Sequence, residues 1–514
     1  MIRRPRHLVV AVALALGWAP ALSAVVAGAA VASPLPPVAR SVPTPTPTPT
    51  PVSVADPDPE PTPAAIDALV REHLDTTGLP GAAVAVTRGT RVLHAAGYGR
   101  TADGQPVTAH TPMAVASLSK SITALAVLRL VEAGRVRLDH PVREYLPEFT
   151  MADPRADAIT VRQLLDQTSG LSDTTFPSFS RTRPNSLAES VAGLRGARLA
   201  ADPGTRWEYY NVNAQVAARL VEVVSGQGFA DHLRAHVFGP LGMADSSAVD
   251  TEDDLPPSAA GHLKLFDHAV ALPEPPGFGG GSGGVLSSAH DLAAWLIAQN
   301  NGGRGANGTA VLSPELIAVS HTPSPPARDY ALGWTVGRTP AGATRIAHGG
   351  DLFTATAYQA LLPDSGYGIA VLANTGTAYG EAPALAGRLL ALLENRPVPA
   401  PTSPGVLVDW VVLGLAVLVL LLAVRGVRRA RRWAEARTGV LGTALRLLPH
   451  TLPVLFPLTV HHVVSVLYRG RDVTWLQVHY LYASGMLLVY ILCAACTTIL
   501  AARLTALVRL RSPR

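Results

Sequence analysis

The stretch AVASLSKSIT, residues 114–123, contains Lys120, one of only two lysines in the 514 residues. The other lysine is Lys264, whereas the remaining 40 of the 42 basic residues are arginine. Arginine stays protonated at any accessible pH, but a lysine amine can lose its proton when it is removed from water. A lysine that lies by chance on a solvated helix face would make no use of this ability to lose a proton. The residues around Lys120 therefore decide between the two interpretations.

Those neighbouring residues predict a helix with a reactive first turn. After Ser117 the sequence SITALAVLRLVEAG is apolar at helical spacing and ends at Gly134, a typical helix stop. Lys120 follows Ser117 by three residues, which places both side chains on one helix face. A neutral lysine can take the proton of a serine hydroxyl, and a helix N-terminus offers unpaired N–H groups to an oxyanion. Ser117 and Lys120 are therefore a candidate pair for acyl transfer.

Both ends of the chain carry apolar segments typical of membrane targeting. Residues 1–32 combine early arginines, a long apolar run and small residues near the end. This pattern predicts a secretory signal peptide cleaved after Ala32, with an uncleaved anchor as the alternative. Near the other end, three apolar segments have about the length that a spanning helix requires. These predicted membrane helices cover about 406–424, 447–468 and 480–502.

The arginines predict how these segments are oriented. Seven arginines, from Arg425 to Arg446, lie between the first two predicted membrane helices, and four follow the third. By the positive-inside rule this loop and the tail are cytoplasmic, so residues 33–405 lie outside. Acidic residues outnumber basic ones in 33–405, although the whole chain has a formal net charge of +5. The positive balance belongs to the membrane segments, so no nucleic-acid partner is expected.

Proline-rich linkers separate a large domain from both ends. Residues 33–63 contain SVPTPTPTPTP, which favours an extended chain, and a shorter linker covers 396–405. The domain between them, residues 64–395, begins with a predicted β-hairpin and continues with mostly helical sequence to about residue 260. Four predicted antiparallel strands and a final helix complete it. This order predicts an α+β fold in which one sheet is split around a helical insertion, followed by a membrane domain at 406–514.

Three short motifs occur in order along the 64–395 domain. They are S-x-x-K at 117–120, Y-x-N at 209–211 and His-Gly-Gly at 348–350. With connecting stretches such as LLDQTSGL and PGTRWEYYN, they resemble the serine β-lactamase and penicillin-binding protein superfamily, in particular its class C-like branch. The resemblance implies a β-lactamase/D,D-peptidase-like antiparallel sheet flanked by helices, with a helical subdomain.

The resemblance also implies a role for each motif residue. Ser117 would attack an acyl carbonyl, and Lys120 and Tyr209 would handle the protons. Tyr209 would be the base, and a Lys120 cation would have to lower its pKa from about 10. Asn211 would hydrogen-bond both Lys120 and the substrate amide. The backbone N–H groups of Ser117 and Asp351 would form the oxyanion hole.

The third motif departs from many β-lactamases, which have lysine where this chain has His348. We expect His348 to lie on a strand edge where a substrate peptide could add, with Gly349 and Gly350 allowing close backbone approach. At an unperturbed pKa near 6.5, a minority of His348 side chains would be protonated at pH 7 and able to bind a carboxylate. The departure therefore weakens the β-lactamase interpretation.

Other patterns are weaker. Residues 280–284 match the G-x-S-x-G nucleophile elbow around Ser282, but no strand precedes them. His232 and His236 could pair on a metal ion, but no third ligand is evident. The only two cysteines, at C-x-x-C spacing, fall inside the third predicted membrane helix, where packing is the simpler role. We therefore expect neither a metal ion nor a cofactor.

These observations predict a membrane-anchored, extracytoplasmic serine hydrolase that works through an acyl-enzyme. Given that location, the expected activity is that of a D,D-peptidase or carboxypeptidase on cell-wall peptides. An esterase or a β-lactamase could use the same residues. A non-enzymatic ligand-binding or membrane-assembly protein is a further alternative, but the complete set of Ser117, Lys120, Tyr209 and Asn211 argues against it. The expected partners are a small-molecule or peptidoglycan-peptide substrate and the membrane.

Overall fold

The computed structural model describes residues 60–437, 439–467 and 470–512. The predicted signal peptide and nearly all of the predicted linker at 33–63 lie outside these residues. The chain divides into two compact units. The larger unit consists of Pro61–Ala416 and Phe456–Tyr490, and the smaller one contains Val417–Leu455 and Ile491–Arg514. All three sequence motifs lie in the larger unit.

Antiparallel strands form the framework of the larger unit. They are β1 Gly81–Arg88, β2 Arg91–Gly99, β3 Met113–Ala114, β4 Ser247–Ala248, β5 Gly261–Leu265, β6 His268–Leu272, β7 Val285–Ser287, β8 Thr335–Arg338, β9 Thr344–Asp351, β10 Thr356–Leu362 and β11 Tyr367–Ala373. The main sheet has the order β2-β1-β11-β10-β9-β8. Because β1 pairs with β11, the hairpin at the start of the domain and the strands at its end form one sheet. The predicted α+β fold is confirmed.

Helices cover the sheet and fill the insertion. They are α1 Pro63–Thr77, α2 Ser119–Glu132, α3 Val142–Tyr145, α4 Val161–Leu165, α5 Leu187–Ala192, α6 Asn211–Ser225, α7 Phe229–Leu233, α8 Gly239–Leu241, α9 Ala289–Asn300, α10 Pro314–Ser320 and α11 Glu381–Leu393. Helices α2 to α8 form the helical subdomain. Gly134 follows α2 at φ 69° and Gly226 caps α6 at φ 76°, so both helices stop at the glycines that the sequence indicated.

The sheet is buried on both faces, and β1 shows why its sequence is apolar throughout. Val84 and Val86 point into a core that α1 and α11 complete, whereas Ala83 and Ala85 belong to a second core with α2, α6 and α9. Successive strand residues face opposite sides, so a strand with helices on both faces needs an unbroken apolar run. Helix α2, which follows Ser117, is thereby fixed against the rigid centre of the domain.

The C-terminal region is helical. Its helices are α12 Pro404–Arg428, α13 Ala430–Glu435, α14 Val440–Leu455, α15 Val460–Leu467, α16 Trp475–Leu481 and α17 Ala483–Arg511. Two helical stretches, Gly405–Arg428 and Ala483–Arg511, are long and apolar enough to cross a membrane. The predicted span at 447–468 falls on two helical pieces, Val440–Leu458 and Val460–Leu467, which are long and apolar enough only when taken together and are bent by 72° relative to each other. Pro457 lies in the 3₁₀ turn Phe456–Leu458 at this bend, where it cannot donate a helical hydrogen bond; Pro449 and Pro453 lie inside the preceding helix.

Candidate active site

Ser117 lies in a tight turn that leads directly into α2. The turn is a short 3₁₀ helix over Ala116–Leu118, entered from strand β3. Ala116 has φ 49°, a left-handed conformation that costs energy for a residue with a side chain. The Ser119 hydroxyl stabilises the turn by donating to the Ala116 carbonyl at 2.6 Å. Ser117 is thus held by a strained but well-supported turn and remains half-buried.

Three of the predicted residues meet at the Ser117 hydroxyl. The Lys120 Nζ lies 3.0 Å from the Ser117 Oγ, and the Tyr209 hydroxyl lies 2.8 Å from it. Lys120 also donates to the carbonyl of Ser282 at 2.8 Å, and its Nζ lies 4.8 Å from the centre of the Tyr209 ring. Helix α2 supplies the spacing between serine and lysine, and Tyr209 comes from the segment that precedes α6.

Burial shifts the pKa values of Lys120 and Tyr209 in opposite directions. It lowers the pKa of the Lys120 ammonium well below its ordinary value, and the charge of Arg471 lowers this pKa further. Burial raises the pKa of the Tyr209 phenol, and this outweighs the lowering effects of the Ser117 hydrogen bond and Arg471. This is the opposite of the expected arrangement, in which a Lys120 cation lowers the Tyr209 pKa. Its lowered pKa therefore favours the neutral amine of Lys120.

Asn211 does not make its expected bond to Lys120. It is the first residue of α6, next in the motif to Tyr209, and is half-buried. Its side-chain Oδ1 is buried without a hydrogen-bond partner among the described residues. A buried amide oxygen without a partner costs free energy, so this atom is available to accept a hydrogen bond from a substrate amide.

His348 is a buried, neutral imidazole. Its Nδ1 lies 2.6 Å from the Gly349 carbonyl, and its Nε2 lies 3.1 Å from the Tyr330 hydroxyl. The carbonyl can only accept, so Nδ1 carries the proton and Nε2 accepts from Tyr330. Burial lowers the pKa of His348 to about 4. The expected pKa near 6.5 is therefore too high, and His348 is a poor anchor for a carboxylate at neutral pH.

The end of β9 presents an open strand edge beside Ser117. Strand β8 pairs with β9 only as far as Ala347, so residues 348–351 have no strand partner on that edge within the described chain. Gly350 packs against the serine turn: a Cβ there would lie 2.5 Å from the Val115 carbonyl oxygen. A Cβ at Gly349 would meet no atom within 4 Å and would instead project into open space. Asp351, which ends the strand, accepts a hydrogen bond from Thr377 at 2.9 Å.

Sequence reasoning missed three contributors to this site: the Ser282 carbonyl, Tyr330 and Arg471. The glycine-rich run at 280–284 was a signal, but it acts through its backbone, and the Ser282 hydroxyl lies 3.3 Å from the Gly279 carbonyl. Arg471 lies in the loop between α15 and α16, and its guanidinium donates to the Tyr209 carbonyl at 3.0 Å. No sequence signal connects this arginine to a site that lies more than 250 residues earlier in the chain.

The His232 and His236 rings lie 4.6 Å apart, and burial lowers the pKa of His232 to about 4. This pair lies in the helical subdomain, at α7 and just after it, and not among the residues around Ser117. The structure gives it no role in the site.

Comparisons with known proteins agree with this geometry. Residues 66–394 match the family model described as Beta-lactamase. The chain is 29% identical over 319 residues to Protein flp of Staphylococcus aureus, covering 61% of this chain, and spans 63% of that protein's length. It is 30% identical over 358 residues to Penicillin-binding protein 4 of Amycolatopsis lactamdurans, covering 66% of this chain and 91% of the relative.

Solved structures show the same fold. The octameric penicillin-binding protein homologue from Pyrococcus abyssi superposes with a TM-score of 0.55 at 25% identity, covering 65% of this chain and 77% of that one. The penicillin-binding protein from Bacillus halodurans gives a TM-score of 0.54 at 24% identity, covering 64% and 98%.

Proposed function

Since the chain belongs to the Beta-lactamase family and carries a serine hydrolase domain of the β-lactamase and penicillin-binding type, we propose that Ser117 is its nucleophile. The observation that carries this proposal is the position of the Ser117 hydroxyl, 3.0 Å from the buried Lys120 amine and 2.8 Å from the Tyr209 hydroxyl. A serine becomes nucleophilic when an adjacent base removes its proton. The lowered pKa of Lys120 makes its neutral amine that base.

The acylation step follows from these contacts. The Ser117 Oγ forms a bond to the substrate carbonyl carbon as its proton passes to the Lys120 Nζ. Tyr209 keeps its proton and donates a hydrogen bond to Oγ, while Lys120 is oriented by the Ser282 carbonyl. The bond to the leaving amine or alcohol then breaks, and the leaving group takes up the proton. Water hydrolyses the resulting ester with the same base.

The substrate that we propose is an acyl-D-amino-acid peptide of the cell-wall type, cleaved by D,D-peptidase or carboxypeptidase activity. The open edge of β9 at 348–351 supports this, because an extended peptide can pair with it through backbone hydrogen bonds. The unpartnered Oδ1 of Asn211 is suited to accept from a peptide N–H. An esterase is the second candidate, because neutral His348 supplies no charge for a substrate carboxylate.

We also propose that the chain is anchored in the cell membrane with the hydrolase domain outside the cytoplasm. The two long apolar helical stretches and the arginine-rich 425–446 loop support this orientation. Protease added to spheroplasts should then remove the hydrolase domain and leave the 425–446 loop intact. The reverse digestion pattern would contradict the orientation without affecting the assignment of the nucleophile.

Covalent labelling tests the nucleophile. The purified full-length protein should gain the mass of one fluorophosphonate adduct, located on Ser117 by peptide mapping. Ser117→Ala should abolish the adduct and leave the thermal unfolding midpoint nearly unchanged. An adduct that persists in this variant, or that maps to Ser282, would overturn the assignment.

Incubation with a penicillin separates the candidate activities. A long-lived penicilloyl adduct on Ser117 would indicate a penicillin-binding D,D-peptidase. Rapid release of hydrolysed penicillin would indicate a β-lactamase. Fluorophosphonate labelling without any penicilloyl adduct would favour the esterase.

A further inference from the structure

The loop between α15 and α16 brings an arginine to the catalytic residues. Arg471 lies in this loop, within the same compact unit as Ser117. Its guanidinium carbon is 5.7 Å from the centre of the Tyr209 ring, and one of its nitrogens donates to the Tyr209 carbonyl at 3.0 Å. The side chain is exposed, so a ligand can reach the guanidinium.

Several hydrogen bonds hold this loop in place. The carboxylate of Asp472 accepts from the backbone N–H groups of Phe179 at 2.5 Å and Ser180 at 2.6 Å. The Asp472 N–H in turn donates to the carboxylate of Asp173 at 2.8 Å. Because the Asp472 carboxylate accepts two backbone hydrogen bonds, the backbone of the adjacent Arg471 has a defined position. The approach of Arg471 to Tyr209 is therefore supported by its neighbours.

A second set of contacts extends the attachment along α16. The Tyr480 hydroxyl donates to the Pro273 carbonyl at 2.9 Å. The Phe353 ring, two residues beyond the end of β9, makes edge-to-face contacts with both Tyr480 and Phe179, each at 6.1 Å between ring centres. Helix α16 and the Phe179 segment therefore both contact the turn that follows β9.

Charge distinguishes Arg471 from the other basic groups of the site. Lys120 is buried, and its pKa is lowered well below the ordinary value. His348 is buried with a pKa of about 4. A guanidinium remains protonated at any pH at which the protein is folded. Its hydrogen bond goes to a neutral carbonyl, which a carboxylate can replace with a stronger, charge-assisted and bidentate contact.

We infer that Arg471 binds the carboxylate of the substrate and so determines specificity for acyl-D-amino acids over neutral esters. The inference rests on the proposed function, since it concerns the substrate of Ser117. It gives the region that follows the hydrolase domain a direct part in recognition, beyond anchoring. It also accounts for an arginine in a loop that the proposed topology places outside, where the positive-inside rule disfavours one.

The test compares two substrates on the full-length protein in detergent or nanodiscs. One is an acyl-D-alanyl thioester of thioglycolate, which has a free carboxylate, and the other is its methyl ester; both release a thiol that can be measured. The quantity followed is the ratio of the two kcat/KM values. Arg471→Gln should lower the ratio about 10- to 100-fold, the size of one charge-assisted hydrogen bond, and Arg471→Lys should lower it less.

A matched control comes from the surface of β8. Arg338 is also exposed and donates to a backbone carbonyl, that of Gly342 at 2.8 Å, so Arg338→Gln should leave the ratio unchanged. Asp472→Asn, which weakens the attachment of the loop, should lower the ratio part of the way. Fluorophosphonate labelling of Ser117 should still occur in Arg471→Gln, because this probe has no carboxylate, but it should be slower at neutral pH, since the variant loses a charge that lowers the pKa of the Lys120 base. This slowing affects both substrates alike and therefore cancels in the ratio.

The outcomes separate the inference from the proposed function. An unchanged ratio in Arg471→Gln, with Ser117 still labelled, would overturn the role of Arg471 and leave the nucleophile in place. Equal acceleration of both substrates in this variant would show that Arg471 obstructs the site, which also contradicts the inference. Absence of any labelling of Ser117 in the wild type would instead count against the proposed function.

Discussion

The close contact between β9 and the serine turn makes Gly350→Ala a direct test of how the site is held together. A Cβ at this position would lie 2.5 Å from the Val115 carbonyl oxygen, and 3.1 Å from the Cβ atoms of Ala116 and Ala357. The oxygen contact is about 1 Å shorter than the ~3.5 Å at which non-bonded atoms are attracted. Strand and turn must therefore separate by about 1 Å.

Two effects of that separation can be estimated. Overpacking a buried contact costs about 1–3 kcal/mol in the free energy of unfolding. A displacement of about 1 Å between a nucleophile and the groups that stabilise its transition state costs roughly 100-fold in rate. We expect Gly350→Ala to be folded but less stable than the wild type. Its acylation by a fluorophosphonate should be slower by about two orders of magnitude.

Gly349→Ala is the matched control, because its Cβ meets no protein atom within 4 Å. It should unfold at the wild-type temperature and react normally with a small fluorophosphonate. It should lose activity on a peptide that has to pair with the β9 edge. The assays are thermal unfolding, the rate of mass-adduct formation and peptide hydrolysis. Gly350→Ala that labels Ser117 at the wild-type rate would refute the packing argument.

Four further predictions concern the buried basic residues. Lys120→Arg should reduce acylation about 100- to 10,000-fold, because the guanidinium cannot accept the serine proton, and a folded variant that labels normally would contradict this. In the wild type the labelling rate should fall as pH decreases through the lowered pKa of Lys120, since only the neutral amine is a base; a rate that rises toward acid would show that the ammonium is the active form. With a pKa of about 4, His348 is about 1% protonated at pH 6. The ratio of kcat/KM for the carboxylate substrate to that for the ester substrate should therefore stay flat between pH 6 and 8. A rise of this ratio toward pH 6 would show that His348 binds the carboxylate. Lys264→Met should lower the free energy of unfolding, measured by denaturant titration, by about 3–5 kcal/mol. The Lys264–Glu381 ion pair is fully buried at 2.8 Å, so the variant leaves the Glu381 carboxylate without its cation. A cost below about 1 kcal/mol would show that the ion pair is dispensable.

Local sequence determined the elements of this fold and the central pair of the site. Apolar runs bounded by turn residues fixed the strands, and glycines fixed the ends of α2 and α6, since these features depend on residues that are neighbours in the chain. The contact between Ser117 and Lys120 is equally local, because a helical turn brings residues three apart together. The order of hairpin, helices and strands then left one sheet as the simple way to cover every apolar face.

The tertiary structure decided which protonation states and which distant groups the site contains. Burial, which depends on everything packed around a residue, makes His348 neutral and raises the pKa of Tyr209, so both expectations from unperturbed values were wrong. Asn211 lacks its expected lysine contact, and the Ser282 carbonyl takes that place, because backbone groups leave no trace in a motif. Arg471 reaches the site through a loop whose position depends on the docking of Asp472, a contact between segments nearly 300 residues apart. A sequence states the charge of such a group, but only the folded chain determines what that charge faces.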